Sequence, residues 1–150
     1  MKIILDVDNE VEETEVIIKC KELNNEVMQL QSALLQESKR EQTLELTSNG
    51  KSYFISIDKL LFFETNGSKI AAHTKSDYFE CNMTLRDLED YLPGNFLRVS
   101  KSTILNINYV QSISRNLTGA SEIEFSGTDK TTYVSRSYFK MFMDKMKERR

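Results

Sequence analysis

The sequence predicts a mostly β, α+β fold, and three observations carry that expectation. From residue 43 onward, short runs alternate apolar and polar residues and are separated by turn residues. Asn49-Gly50 stands between two such runs; Asn-Gly is a strong hairpin signal because both turn positions need positive φ. Apolar residues at helical spacing are confined to three stretches, near 23–34, 85–92 and 139–146.

Taken in order, residues 3–7 and 14–20 are rich in Ile and Val and read as two strands. Leu23, Val27, Leu30 and Leu34 then place one apolar stripe on a helix over 21–38. Two partners are open to that stripe: its own strands, or a second copy of the chain. Residues 1–40 thus form a strand-strand-helix unit suited to dimerisation or regulation. Glu37 to Glu41 is a charged linker, and a second domain spans 43–150.

In that domain Leu44 and Leu46 alternate with polar residues, and Tyr53 to Ile57 answers them across Asn49-Gly50. Leu61 to Glu64 is a buried strand, Asn66 to Lys69 a polar loop, and 70–74 and 78–81 two more strands. Thr84 with Asp87 opens a helix as a capping box, Leu85, Leu88 and Leu92 form its stripe, and Pro93-Gly94 ends it. The central stretch is 96–107, where two strands flank a polar corner, Ser100-Lys101-Ser102-Thr103. One cation and three hydroxyls there, with Arg98 just before, suit phosphate oxygens and base edges; an ordinary turn with a solvated lysine is the plainer alternative. Residues 107–113, 122–125 and 131–134 complete the strands. Ser135 then caps a last helix whose Phe139, Phe142, Met143 and Met146 read as core contacts.

Composition narrows the function classes. A chain of 150 residues is long enough for a core without disulfides or metal, and its two cysteines, Cys20 and Cys81, suggest neither. No apolar run approaches the ~20 residues of a membrane span, and Met1 to Asp6 turns acidic too soon for a signal peptide, so a cytoplasmic location is expected. The net charge of −3 weighs against general polyanion binding, but its distribution is uneven. Residues 1–42 carry 10 acids and 5 bases, whereas residues 96–150 carry 5 acids and 10 bases. A local basic face is the electrostatic footprint of nucleic-acid binding; a solvated C-terminal helix bearing Lys145, Lys147, Arg149 and Arg150 is the alternative. The single histidine, His73, has no metal-ligand or catalytic spacing around it and reads as structural. No phosphate-binding glycine motif occurs. Neither an enzyme nor a cofactor or metal site is expected.

Four pieces occur in one order: Phe62-Phe63-Glu64, the helix from Thr84 to Leu92-Pro93, Phe96-Leu97-Arg98-Val99-Ser100-Lys101-Ser102 with Asn106, and Val134-Ser135-Arg136. Together, over roughly 43–148, they resemble the LytTR family of DNA-binding domains. The resemblance implies an elongated multi-sheet β fold of about ten strands. It implies a transcriptional regulator whose loops read successive major grooves of double-stranded promoter DNA, as a homodimer or a side-by-side pair. By position it implies DNA contacts from Ser68 and Lys69, from Arg98, Ser100, Lys101 and Ser102, and from Ser135, Arg136 and Ser137, with Ser135 and helix N–H groups holding a phosphate. Asn106 is carried over with two open roles, DNA contact or tie within the corner. Ser100 and Lys101 depart from the usual His-Arg-Ser or His-Asn-Ser triplet, which touches base identity rather than DNA binding. Forty residues are too few for a receiver domain, and compact regulators of this kind resemble those held inactive by a small membrane protein. A protein-interaction module, with the β domain as scaffold, is the rival reading and expects no salt-dependent DNA affinity.

Overall fold

Phe62 and Phe63 are neighbours on one strand, so their side chains leave on opposite faces, yet both are buried. That strand must therefore be covered twice. The computed structural model describes residues 1–38 and 42–149, which divide into two units, Met1–Arg40 and Glu41–Arg150. In the second unit a seven-stranded antiparallel sheet contains β1 (Thr43–Ser48), β2 (Lys51–Ser56), β3 (Phe62–Asn66), β4 (Lys69–His73), β5 (Tyr78–Cys81), β6 (Phe96–Ser100) and β7 (Thr103–Asn106). Its strand order is β2-β1-β5-β4-β3-β7-β6. A three-stranded antiparallel sheet, ordered β10-β9-β8, follows with β8 (Val110–Ser114), β9 (Ser121–Phe125) and β10 (Thr131–Val134).

One face of the large sheet packs Phe63, Ala72 and Ile104 against Leu85 and Leu88 of helix α2 (Leu85–Tyr91). The other packs Phe62, Val99 and Leu105 against Ile123 and Phe125 of β9 and Phe142 of helix α3 (Phe139–Glu148). The expected hairpin forms as read: Asn49 and Gly50 take φ of 51° and 76°. Thr84 caps α2 through the amide of Asp87 at 3.1 Å. Two expectations shift. Residues 107–109 form a 3₁₀ turn before β8 rather than the start of a strand, because the Asn106 side chain accepts from the Asn108 amide. The segment after β10 is a 3₁₀ turn over Arg136–Tyr138, and α3 begins only at Phe139; Ser135 makes no side-chain cap. Arg149 is not merely solvated, since its guanidinium donates to the carbonyls of Ile107 and Val110.

The first unit departs further from expectation. Helix α1 (Asn25–Ser38) forms, with the Asn24 side chain accepting from the Val27 amide at 3.0 Å. The strands expected at 3–7 and 14–20 do not form, and residues 1–24 hold neither strand nor helix. Two strands without a covered apolar face are marginal in water, and no side chain is buried among the described residues of the unit: Ile3, Ile4 and Leu5 are 74–88% exposed. In the expected stripe only Val27 and Leu30 are half-buried. The linker expected at 37–41 falls largely on residues 39–41, which with Arg150 lie outside the described residues.

His73 ties the two sheets together at the end remote from the β3–β4 turn. Its ring stacks on Phe62 at 4.2 Å, its Nε2 lies 2.9 Å from Glu64 Oε1, and its Nδ1 lies 3.1 Å from the Lys130 ammonium of the β9–β10 connection. Lys130 also donates to the Asp77 carbonyl, and Tyr78 flanks the ring. The neutral tautomer satisfies both contacts: Nε2–H donates to Glu64 and Nδ1 accepts from Lys130. Burial, then the Lys130 charge, holds the His73 pKa below its ordinary 6.5, outweighing Glu64. The unfolded chain thus takes up the proton first. The stabilisation is complete above about pH 6.5 and is lost as pH falls through the folded value. Melting temperature should fall from pH 7.5 to pH 5, and His73→Phe should flatten part of that slope. An identical slope in the variant would show that His73 is not responsible.

Candidate nucleic-acid interface

The pairing register decides which of the sequence's polar segments meet. β3 rises to the Gly67-Ser68 turn, and antiparallel β7 begins just after the Ser100–Ser102 corner, so both turns cap the same end of adjacent strands. The Thr65 amide donates to the Ser102 carbonyl at 2.9 Å, tying one turn to the other. The Ser135 amide donates to the Val99 carbonyl at 2.9 Å, which brings the 135–137 segment beside the same corner. Three of the segments named from sequence therefore share one end of the sheet.

The β3–β4 turn is short because Gly67 takes φ +65°, the geometry of a two-residue hairpin that needs glycine at its first position. Ser68 and Lys69 project exposed from it, with Lys69 3.2 Å from Glu80. Both partners of that pair are at least half exposed, so the bond is screened and easily exchanged. The corner is held from within. Ser100 Oγ accepts from the Ser102 amide at 3.1 Å and lies 3.3 Å from Ser102 Oγ. Arg98 spends its guanidinium on the corner: Nε donates to the Ser100 carbonyl at 2.7 Å, Nη2 to the Lys101 carbonyl, and Nη1 pairs with Glu89 at 3.2 Å. Lys101 is left exposed at the tip, and no ion pair engages it among the described residues. Arg136 and Ser137 are exposed, and Ser135 Oγ lies 3.4 Å from Ser137 Oγ.

Asn106 does not belong to this surface. It is 1% exposed at the far end of β7, its Nδ2 donates to the Leu60 carbonyl at 3.1 Å, and its Oδ1 accepts from Asn95 Nδ2 and the Asn108 amide. Every polar atom of the side chain is used inside the fold, so of the two roles left open for Asn106 the structure favours the internal tie over the DNA contact. Beside Ser135 the helix opens with a 3₁₀ turn over Arg136–Tyr138 that runs into α3 at Phe139, and Ser135 itself makes no side-chain cap. Sequence reasoning missed Arg86, which lies on α2 beside the β3–β4 turn. Its signal was a cation in a helix's first turn, where acids are preferred.

Residues 50–147 match the model of the LytTr DNA-binding domain. The chain belongs to the LytTR family. Its fold is that of a LytTr DNA-binding domain from a Bacillus cereus response regulator, at a TM-score of 0.64 and 19% identity, over 70% of this chain and 96% of that one. Curated relatives extend over both units. An uncharacterized HTH-type transcriptional regulator of Staphylococcus aureus strain MSSA476 is 24% identical over 97% of this chain and 98% of its own length. Its counterpart in strain MRSA252 is 23% identical over the same span. In this LytTR chain α2 runs into a strand and no two α-helices are consecutive among the described residues, so turns rather than a helix pair form the candidate interface. No helix among those residues is long and apolar enough to cross a membrane.

Proposed function

We propose that this LytTR protein is a sequence-specific transcriptional regulator that reads double-stranded promoter DNA through the turns at one end of its large sheet. The observation that carries the reading is the meeting of the 67–69 turn, the 100–102 corner and the 135–137 segment, with Lys101 and Arg136 exposed and, among the described residues, free of ion pairs. Lys101 donates to base edges, with guanine O6 and N7 the natural acceptors for a long cationic donor. Ser68 and Lys69 enter a neighbouring groove, while Arg136 and Ser137 hold the backbone between them. The protein acts in the cytoplasm without cofactor or catalysis.

Two copies act together, as a homodimer or side by side on promoter repeats. The N-terminal unit serves assembly or regulation: its exposed Ile3, Ile4, Leu5, Val16 and Ile17 favour a partner outside the unit. A small membrane protein that holds the regulator inactive is one such partner. Membrane retention only when such a protein is co-expressed supports that role; equal solubility in both cases rejects it.

The direct test titrates the protein into the DNA upstream of its own operon and into a scrambled duplex at several salt concentrations. Tighter, salt-sensitive binding to the upstream DNA is expected. Absence of binding to either duplex at low salt, with folded protein, would favour an interaction module. Lys101→Ala should weaken the specific site by roughly 1–3 kcal/mol and change scrambled DNA less. Unchanged affinity on every duplex would remove the corner from the interface.

A further inference from the structure

An open groove of about 490 Å³ lies between the Gly67-Ser68 turn and the start of α2. Its polar lining includes Ser68, Lys69, Asn82, Thr84, Arg86 and Arg98, and no carboxylate lines it. Two of its three cations are already engaged, Lys69 with Glu80 and Arg98 with Glu89 and the corner carbonyls. Arg86 is different. It is exposed, and among the described residues no hydrogen bond or ion pair uses its guanidinium. It also stands in the first turn of α2, where the peptide dipoles oppose a cation. Among the described residues, Arg86 is thus the one cation of the groove without a carboxylate partner.

We infer that this groove receives one backbone phosphate of the bound DNA, with Arg86 as its principal cation and Asn82 and Lys69 beside it. The inference rests on the DNA-reading assignment of the neighbouring turns. Phosphates border every groove whose base edges are read, and a protein that enters a groove with a turn needs a cation on the flank of that turn to fix its register. β5 ends at the same edge of the sheet as the two turns, and the chain leaves it directly into α2. The first turn of α2 is therefore held by strand pairing on the flank of Gly67-Ser68. Arginine suits the role because its planar fork can bind two phosphate oxygens at once.

The experiment compares wild type, Arg86→Ala and Arg86→Lys on the upstream and scrambled duplexes between 50 and 200 mM salt. Arg86 is exposed, so the variants should melt with wild type, and the melting temperature is recorded as a control. Arg86→Ala should weaken both duplexes alike and lower the salt slope by about one. One lost contact makes the deficit about 3–4-fold larger at 50 mM than at 200 mM salt. Arg86→Lys should keep most of the slope, since the charge remains. An alanine variant with wild-type affinity and slope would overturn the phosphate site while leaving the regulator reading standing. A loss confined to the upstream duplex with an unchanged slope would also overturn it, since it would mark a base contact. Failure of the wild-type protein to bind either duplex would instead overturn the reading on which the site rests.

Discussion

Replacing Arg98 with alanine should lower affinity for the specific DNA site by roughly 30–150-fold while leaving scrambled DNA nearly unchanged. The reason is that Arg98 faces inward. Its guanidinium bonds the Ser100 and Lys101 carbonyls and pairs with Glu89, so it fixes the path of the corner that presents Lys101. Bonds from a charged donor contribute more than neutral ones, and losing this set corresponds to about 2–3 kcal/mol of positioning. The salt slope should stay at the wild-type value, because no phosphate contact is removed. Glu89→Gln should do far less, its carboxylate being 40% exposed. A slope reduced by about one in Arg98→Ala, with both duplexes weakened equally, would instead make Arg98 a direct phosphate contact.

Asn106→Ala should act on stability rather than on recognition. The change leaves the buried Leu60 carbonyl and the partly buried Asn95 amide group and Asn108 amide without their partner; Asn106 itself is only 1% exposed. A buried group left unbonded costs about 1–3 kcal/mol, and the two partly buried groups add less because water reaches them, so a total near 2–4 kcal/mol is expected. For a unit of this size that lowers the melting temperature by about 10–20 °C. DNA affinity of the folded variant, measured well below its melting temperature, should match wild type within about two-fold. Lost DNA binding at an unchanged melting temperature would return Asn106 to the interface.

Much of the β unit was legible because its signals are local. Asn49-Gly50 dictates its own hairpin, Thr84 and Asp87 their own cap, and Phe62-Phe63 a strand covered on both faces. What escaped depends on partners distant in sequence. Asn106 looks like any polar residue next to a polar corner until Leu60 and Asn95 are seen around it. Arg98 and Arg86 are both arginines near turns, and only the fold separates a guanidinium bound inward from one left free. The N-terminal strands failed for the converse reason: Val and Ile favour strands, but propensity alone forms no sheet where nothing covers the apolar side chains.

The two turns proposed to read DNA hang from β3 and β7, adjacent strands joined by a backbone hydrogen bond from Thr65 to Ser102. Their separation is therefore a lattice spacing of the sheet and not an adjustable hinge. A reader of this kind arrives already ordered, and little chain entropy is lost when it docks. On the proposed function, the burden of adaptation falls on the double helix, which bends or widens to meet a fixed gauge. Flexible steps such as TA or CA, placed between the contacted bases, then become part of the recognised message although no side chain touches them.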